Sequence, residues 1–161
     1  MMSTDLERRV ALLENKQAVR NVVHQKGLAL DVPYDAEAIR KVYTSDAAVI
    51  TGSFGRYIGD DQFNAMYAQL AGRIPYTFHI KTNAIITIAE DGCTGSGRWF
   101  GFEAPTVGTT PVIGGLTEAS DYRCEGGSWL ISEYSQELKF LAPYAQGWVA
   151  RDASADAWRP R

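Results

Sequence analysis

A chain of 161 residues with 45% apolar and 22% charged residues suits one globular domain that buries a core without disulfides or a metal. Its net charge of −3, with both signs interspersed, leaves no basic stripe and argues against nucleic acid as a partner. The opening MMSTDLERR has no apolar signal core, no apolar run is long enough to span a bilayer, and Cys93 and Cys124 have neither metal-site spacing nor a framework of paired cysteines. The expectation is a cytoplasmic protein without a membrane partner.

In chain order, Ser3 or Thr4 is a candidate cap for a first helix running to about Leu30, with Glu7 placed for a capping box. Asp35 is the expected N-cap of a second helix whose Ala38, Ile39 and Val42 face inward. AAVITGS reads as a short buried strand, and a third helix fits Asp60 to Leu70, where Phe63, Met66, Tyr67 and Leu70 recur at helical spacing. From Tyr76 the period changes from 3.6 to 2. Two strands joined at Asp91-Gly92 and two more turning at Glu125-Gly126-Gly127 follow. The segment after Pro143, with Trp148 and Trp158, has no clear period and reads as a C-terminal tail (143–161) on a single domain. Helices first and strands later predict an α+β fold: a curved antiparallel sheet wrapped around the long N-terminal helix, enclosing a cone-shaped pocket.

Within VVHQKGLALD, Val19, Val22, Val23 and Leu30 form one apolar stripe, and Lys26 lies on it. That lysine either snorkels past the core to water or points into a pocket. Asp31, five residues on, is either a helix-terminal turn residue or a functional carboxylate; Val32-Pro33 predicts that the helix ends before it. Of the two histidines, His24 points away from the stripe and reads as a surface residue, while His79 lies inside the first long strand. With a two-residue turn at Asp91-Gly92, Asn83 opposes Phe100 and Lys81 opposes Phe102, so His79 shares a face with Phe100, Phe102, Asn83 and Arg98. One bulge would reverse part of this register.

LALD closing the first helix, VYTSDAAV after the second, HIKTN in the first long strand, TGSGRWF in its partner, then VIGG and WLISEY together resemble the SnoaL-like family of the nuclear-transport-factor-2-like fold, over about Leu6 to Leu141. The fold that this implies is the cystatin-like α+β barrel. The branch that the chain looks most like holds scytalone dehydratase, bile-acid 7α-dehydratase and hexachlorocyclohexane dehydrochlorinase. In the dehydrochlorinase a histidine in an H-x-x-T-N strand is the base, and an aspartate ending the first helix orients it. A lysine five residues before that aspartate lies beside the leaving group. Here these positions are His79, Asp31 and Lys26. Tyr134 stands where that enzyme has an arginine on its last strand, which leaves substrate and leaving group open.

The resemblance implies a lyase without cofactor or metal, acting by base-assisted elimination on a small apolar or aromatic ring compound. His79 would be the general base, Asp31 its hydrogen-bond acceptor and Lys26 the stabiliser of developing negative charge. Tyr134 would donate a hydrogen bond, and Phe100 and Phe102 would wall the pocket. The same residues would serve a polyketide cyclase, an isomerase or a lyase that releases formaldehyde from lignin-derived diarylpropanes. A non-catalytic small-molecule-binding module is the alternative of another class. A homo-oligomer, by resemblance a trimer, is also expected.

Overall fold

The computed structural model describes residues 2–31, 35–51 and 55–147. Helix α1 spans Met2–Leu30, so Ser3 and Thr4 lie in its first turn and do not precede it. Its stripe is inward as expected: Val19, Val22 and Val23 are buried in the core, and Leu30 packs half-buried against it. Helix α2, Ala36–Lys41, is capped by the Asp35 side chain, which accepts from the Ala38 amide at 2.8 Å. Strand β1 (Tyr43–Thr51) follows, paired with the short strand β2 (Gly55–Ile58), which the sequence reading does not separate. Gly52 and Ser53 of the expected strand, Val32-Pro33 and the tail beyond Gly147 with Trp148 and Trp158 lie outside the described residues. Helix α3 spans Gly59–Arg73 and buries Phe63, Met66 and Tyr67.

Strands β3 (His79–Ile88), β4 (Thr94–Glu103), the short β5 (Thr106–Val107), β6 (Thr110–Glu125) and β7 (Ser128–Pro143) complete a sheet ordered β2-β1-β7-β6-β4-β3, with β5 paired to β6. The architecture is the α+β fold expected, with one difference: β1 runs parallel to β7, so the sheet is mixed. The chain returns from β1 through helix α3 and the whole β3–β6 meander before β7, and so long a return permits a parallel neighbour. The β6–β7 hairpin turns on Gly126 (φ 57°) and Gly127 (φ 82°), a left-handed pair that side chains adopt at a cost.

The β3–β4 connection departs from the two-residue turn. Ala89 donates to Thr94, and the loop between them is tied by the Asp91 carboxylate, which accepts from the amides of Cys93 and Thr94. The expected register holds beside this loop, where Ile88 opposes Gly95 and Ile85 opposes Arg98. It then slips by one: Thr82 opposes Phe100 and Lys81 opposes Gly101, because Asn83 and Ala84 together face Trp99. Asn83 adopts φ 53°, the left-handed conformation that asparagine tolerates better than most residues. The bulge inverts the parity of β3, so Ile86 on one side of it and His79 and Lys81 on the other all face the interior.

Asn83→Val forces a β-branched residue into this conformation and is expected to destabilise the fold by about 1–2 kcal/mol, whereas Asn83→Gly stays within a few tenths. Urea midpoints of the two variants check the difference.

Candidate active site

Helix α1, helix α3 and the inner face of the sheet enclose a cavity of about 400 Å³. Met66, Tyr67, Leu70, Val49, Leu138 and Leu141 make most of its wall apolar, and Lys26, His79, Lys81, Glu103, Glu118 and Tyr134 supply its polar groups. The volume falls within the range of small-molecule sites.

Asp31 and His79 meet although they are far apart in sequence. Helix α1 stops at Leu30, which frees the Asp31 carboxylate to turn towards the start of β3. Its Oδ1 accepts from the His79 backbone amide at 3.0 Å and lies 2.8 Å from His79 Nδ1. A hydrogen on Nδ1 satisfies that contact and leaves the Nε2 lone pair towards the cavity, where Glu103 Oε2 is 3.8 Å away. Burial pushes the His79 pKa below its ordinary value, and the Lys81 charge pushes the same way; the hydrogen bond and charge of Asp31 oppose both. Glu103 is raised, again mainly by burial, although Lys81 pulls it down.

Lys26 follows its valines into the core. Its ammonium is 3.4 Å from Glu118 Oε1 and stands 3.2 Å above the centre of the Tyr134 ring, a cation–π arrangement. Glu118 Oε1 also accepts from Lys81 Nζ at 2.7 Å and from the Tyr134 hydroxyl, with the Gln136 side-chain amide 2.9 Å from that hydroxyl. The side chains of Lys26, Lys81 and Glu118 are 3%, 5% and 3% exposed, so this is an interior charge cluster. Burial alone would raise Glu118, but the two lysine charges and the hydrogen bonds from Lys81 and Tyr134 bring it to about 2. For Lys26 burial wins: it lowers the amine to about 7, aided by the like charge of Lys81 and opposed by Glu118. Glu118 has a close partner in Lys81 whereas Lys26 has only the longer contact, so the carboxylate holds its charge more readily than the Lys26 amine. Burial raises the phenol of Tyr67 to about 12 and that of Tyr134 well above its ordinary value, so both remain hydrogen-bond donors.

Of the residues that the sequence singles out, Asp31, His79, Lys26 and Tyr134 come together here. Phe100 and Phe102 do not. They are 52% and 37% exposed on the outer face, because the Asn83 bulge turns their pairing partners Thr82 and Ile80 outward. His24 is exposed, as expected. Sequence reading does not single out Lys81, Glu103 and Glu118. Parity carries the signal: Lys81 is two residues from His79, and Glu118 alternates with Leu116, Ser120 and Tyr122, all buried. Lys81 has room to cross the sheet because it faces Gly101, where a Cβ would lie 3.1 Å from its Nζ and 2.6 Å from a Leu116 methyl. Among the described residues no group of three or more His, Cys, Asp or Glu could hold a metal ion, and no helix is long and apolar enough to cross a membrane.

Removing the carboxylate strands two buried ammonium groups, so Glu118→Ala is expected to cost about 3–5 kcal/mol, part of which Lys81→Met in the same chain restores. Chemical denaturation of the two single variants and the double variant measures the coupling. The Glu118 contribution is complete above the ordinary carboxylate pKa and is lost as pH falls from about 4.5 towards 2.

A model of the SnoaL-like domain matches residues 11–135. No curated protein matches the chain. Among solved structures, hexachlorocyclohexane dehydrochlorinase LinA-type3 from Novosphingobium barchaimii LL02 is similar with a TM-score of 0.77 at 15% identity, over 85% of this chain and 94% of that one. A scytalone-dehydratase-like protein from Novosphingobium aromaticivorans gives 0.73 at 14% identity, over 89% and 92%. An NTF2-like protein with a cystatin-like fold from the same organism gives 0.70 at 18% identity, over 98% and 97%. At such identities the likeness is one of fold. The domain match covers most of the chain, and its fold is the one just described: the protein belongs to the SnoaL-like family, with the nuclear-transport-factor-2-like α+β fold.

Proposed function

We propose that the protein is a cofactor-independent lyase that removes a proton from a small, mostly apolar ring substrate and expels a leaving group from it. The observation that carries this reading is the Asp31–His79 contact on the wall of the cavity, with Nε2 facing the enclosed space. In this reading His79 is the base. Asp31 fixes its tautomer and stabilises the imidazolium as it forms. The proton leaves carbon as an electron pair develops towards the leaving atom. Lys26, with a pKa of about 7, then donates a proton or a charge-assisted hydrogen bond to that atom, and Lys81 adds a second cation to the same region. The Tyr67 hydroxyl supplies a neutral donor, while that of Tyr134 is engaged by Glu118, and the apolar wall limits water at the reacting centre. The dehydrochlorinase and dehydratase names among the structural neighbours agree with elimination.

Turnover on a panel of hydroxylated, halogenated and diaryl ring compounds, followed by mass spectrometry, tests the reading. His79→Ala should lose about 10²–10⁴-fold in kcat/KM, and Asp31→Asn should also lose activity with the fold intact by circular dichroism. Because burial and the neighbouring cations disfavour the imidazolium, His79 stays neutral to below its ordinary pKa. The acid limb of kcat/KM is therefore expected below pH 6.5. Turnover that survives both substitutions removes the proposed base. Binding without conversion across the panel would favour a binding module.

A second copy of the chain is the proposed partner. Ile80, Phe100 and Phe102, joined by Phe78 at the strand entry, leave a cluster of large apolar side chains exposed on the outer face of the sheet, and a contiguous exposed cluster of this kind is uncommon on a monomer. Light scattering is expected to give a multiple of the 17.7 kDa chain mass, by family resemblance the trimer, and Phe100→Glu to shift it towards one chain. A wild type at the single-chain mass overturns this.

A further inference from the structure

The charge cluster contains one cation more than its carboxylate balances. Glu118 stands between two lysines, and Lys81, at 2.7 Å and sharing the carboxylate with the Tyr134 hydroxyl, is the close counterion. Lys26 is at 3.4 Å, its side chain only 3% exposed, against the face of an aromatic ring and with an end on the cavity. Two ammonium groups share one carboxylate at contact distance, and Glu103, farther off and itself discouraged from ionising by burial, offsets the second charge only in part, so holding both amines protonated out of water is costly. Losing one proton removes that cost, and the cation with the longer contact is the one to lose it. Of the remaining charged groups on the cavity wall, Glu103 favours the Lys26 ammonium, whereas His79 is held neutral. A desolvated lysine beside a second cation is the setting in which an amine becomes a nucleophile.

We propose that Lys26 is a covalent site for carbonyl compounds: an aldehyde or ketone held in the cavity condenses with its Nζ to give an iminium and water. The nitrogen lone pair forms the C–N bond while the carbonyl π pair moves to oxygen. One N–H proton and one proton drawn from water leave with that oxygen, and the nitrogen lone pair closes the C=N bond. An iminium acidifies the adjacent carbon, so the His79 base would then remove the α-proton to give an enamine able to expel a β-leaving group, with Lys81 replacing the covalently engaged Lys26 as the cation beside that group. This last step rests on the lyase reading; the capture step needs only the cavity and the amine. The substrate class indicated is an aryl or alicyclic aldehyde or ketone small enough for about 400 Å³.

The full-length protein incubated with benzylacetone or cinnamaldehyde and sodium cyanoborohydride at neutral pH, then digested and mapped by mass spectrometry, tests it. An ordinary lysine amine is unprotonated in only roughly one molecule in a thousand at this pH. Lys26 is therefore expected to carry the reduced adduct at least about tenfold over the exposed Lys41 and Lys139. Lys26→Arg should abolish that adduct, and His79→Gln should retain it while losing turnover. Adducts confined to Lys41 and Lys139, or found at Lys81 in place of Lys26, overturn the proposal. The wild-type map decides this without reference to how the variants fold. Should Lys26 stay unlabelled while His79→Ala still abolishes turnover, imine formation falls and the base reading stands.

Discussion

One carboxylate oxygen organises the floor of the cavity. Glu118 Oε1 takes hydrogen bonds from Lys81, Tyr134 and Lys26, which come from β3, β7 and α1, and Glu118 itself sits on β6. Unit charges about 3 Å apart and out of water interact by several kcal/mol even at an effective dielectric near 20. That is of the order of the desolvation cost each ion meets in the interior. The cluster is therefore not a source of large net stability. Its effect is on specificity: with any member displaced the others are left charged and buried, so helix, outer hairpin and last strand are held in one relative position. The lysine on the valine stripe of α1 is accounted for in the same way, since the stripe lies against a polar floor at that one level.

The second constraint is backbone parity. His79 and Lys81 have odd numbers and Ile86 an even one, yet all three face inward, which a regular strand forbids. The extra residue at Asn83–Ala84 reconciles them. It places Ile86 and Trp99 under helix α1 as core and turns His79 and Lys81 into the cavity a few residues away. The cost is borne outside. The same slip pairs Ile80 with Phe102 and Thr82 with Phe100, and Ile80, Phe100 and Phe102 are exposed on the outer face among the described residues.

Much of this was legible in the residues. The end of α1 before Asp31, the Asp35 cap, the change from helical to alternating period and both hairpins follow from local chemistry, and the structure has them close to where the sequence puts them. The parallel β1–β7 pair was not, because no local signal distinguishes a strand that will find a parallel neighbour some eighty residues later. The short β2 and β5 have too few residues for a period to show. The bulge defeated the register extrapolated from the loop, and with it the assignment of Phe100 and Phe102. Within the site, the contact of Asp31 with His79 came from family resemblance. Glu118 could have been found from the residues themselves, as a charge on the inward beat of LTEASDY, but only after that strand's inner face was known.

Tyr134, where the resemblance sets an arginine, fits the rest of the cavity better than the arginine would. The floor already holds two lysines against one ionised carboxylate, and Lys26 is already driven towards its neutral form. A guanidinium, which does not lose its proton, would add a third positive charge with no further carboxylate at hydrogen-bond distance. A tyrosine gives Glu118 a neutral donor and offers its ring face to Lys26, so one side chain supports the carboxylate and tolerates the amine in either protonation state. Lys81 then supplies the cation that the arginine would have brought, from a different strand and through the space left by Gly101. Tyr134, where the resemblance to the dehydrochlorinase sets an arginine, and Lys81 thus both act on the Glu118 carboxylate, one as a neutral donor and one as a cation.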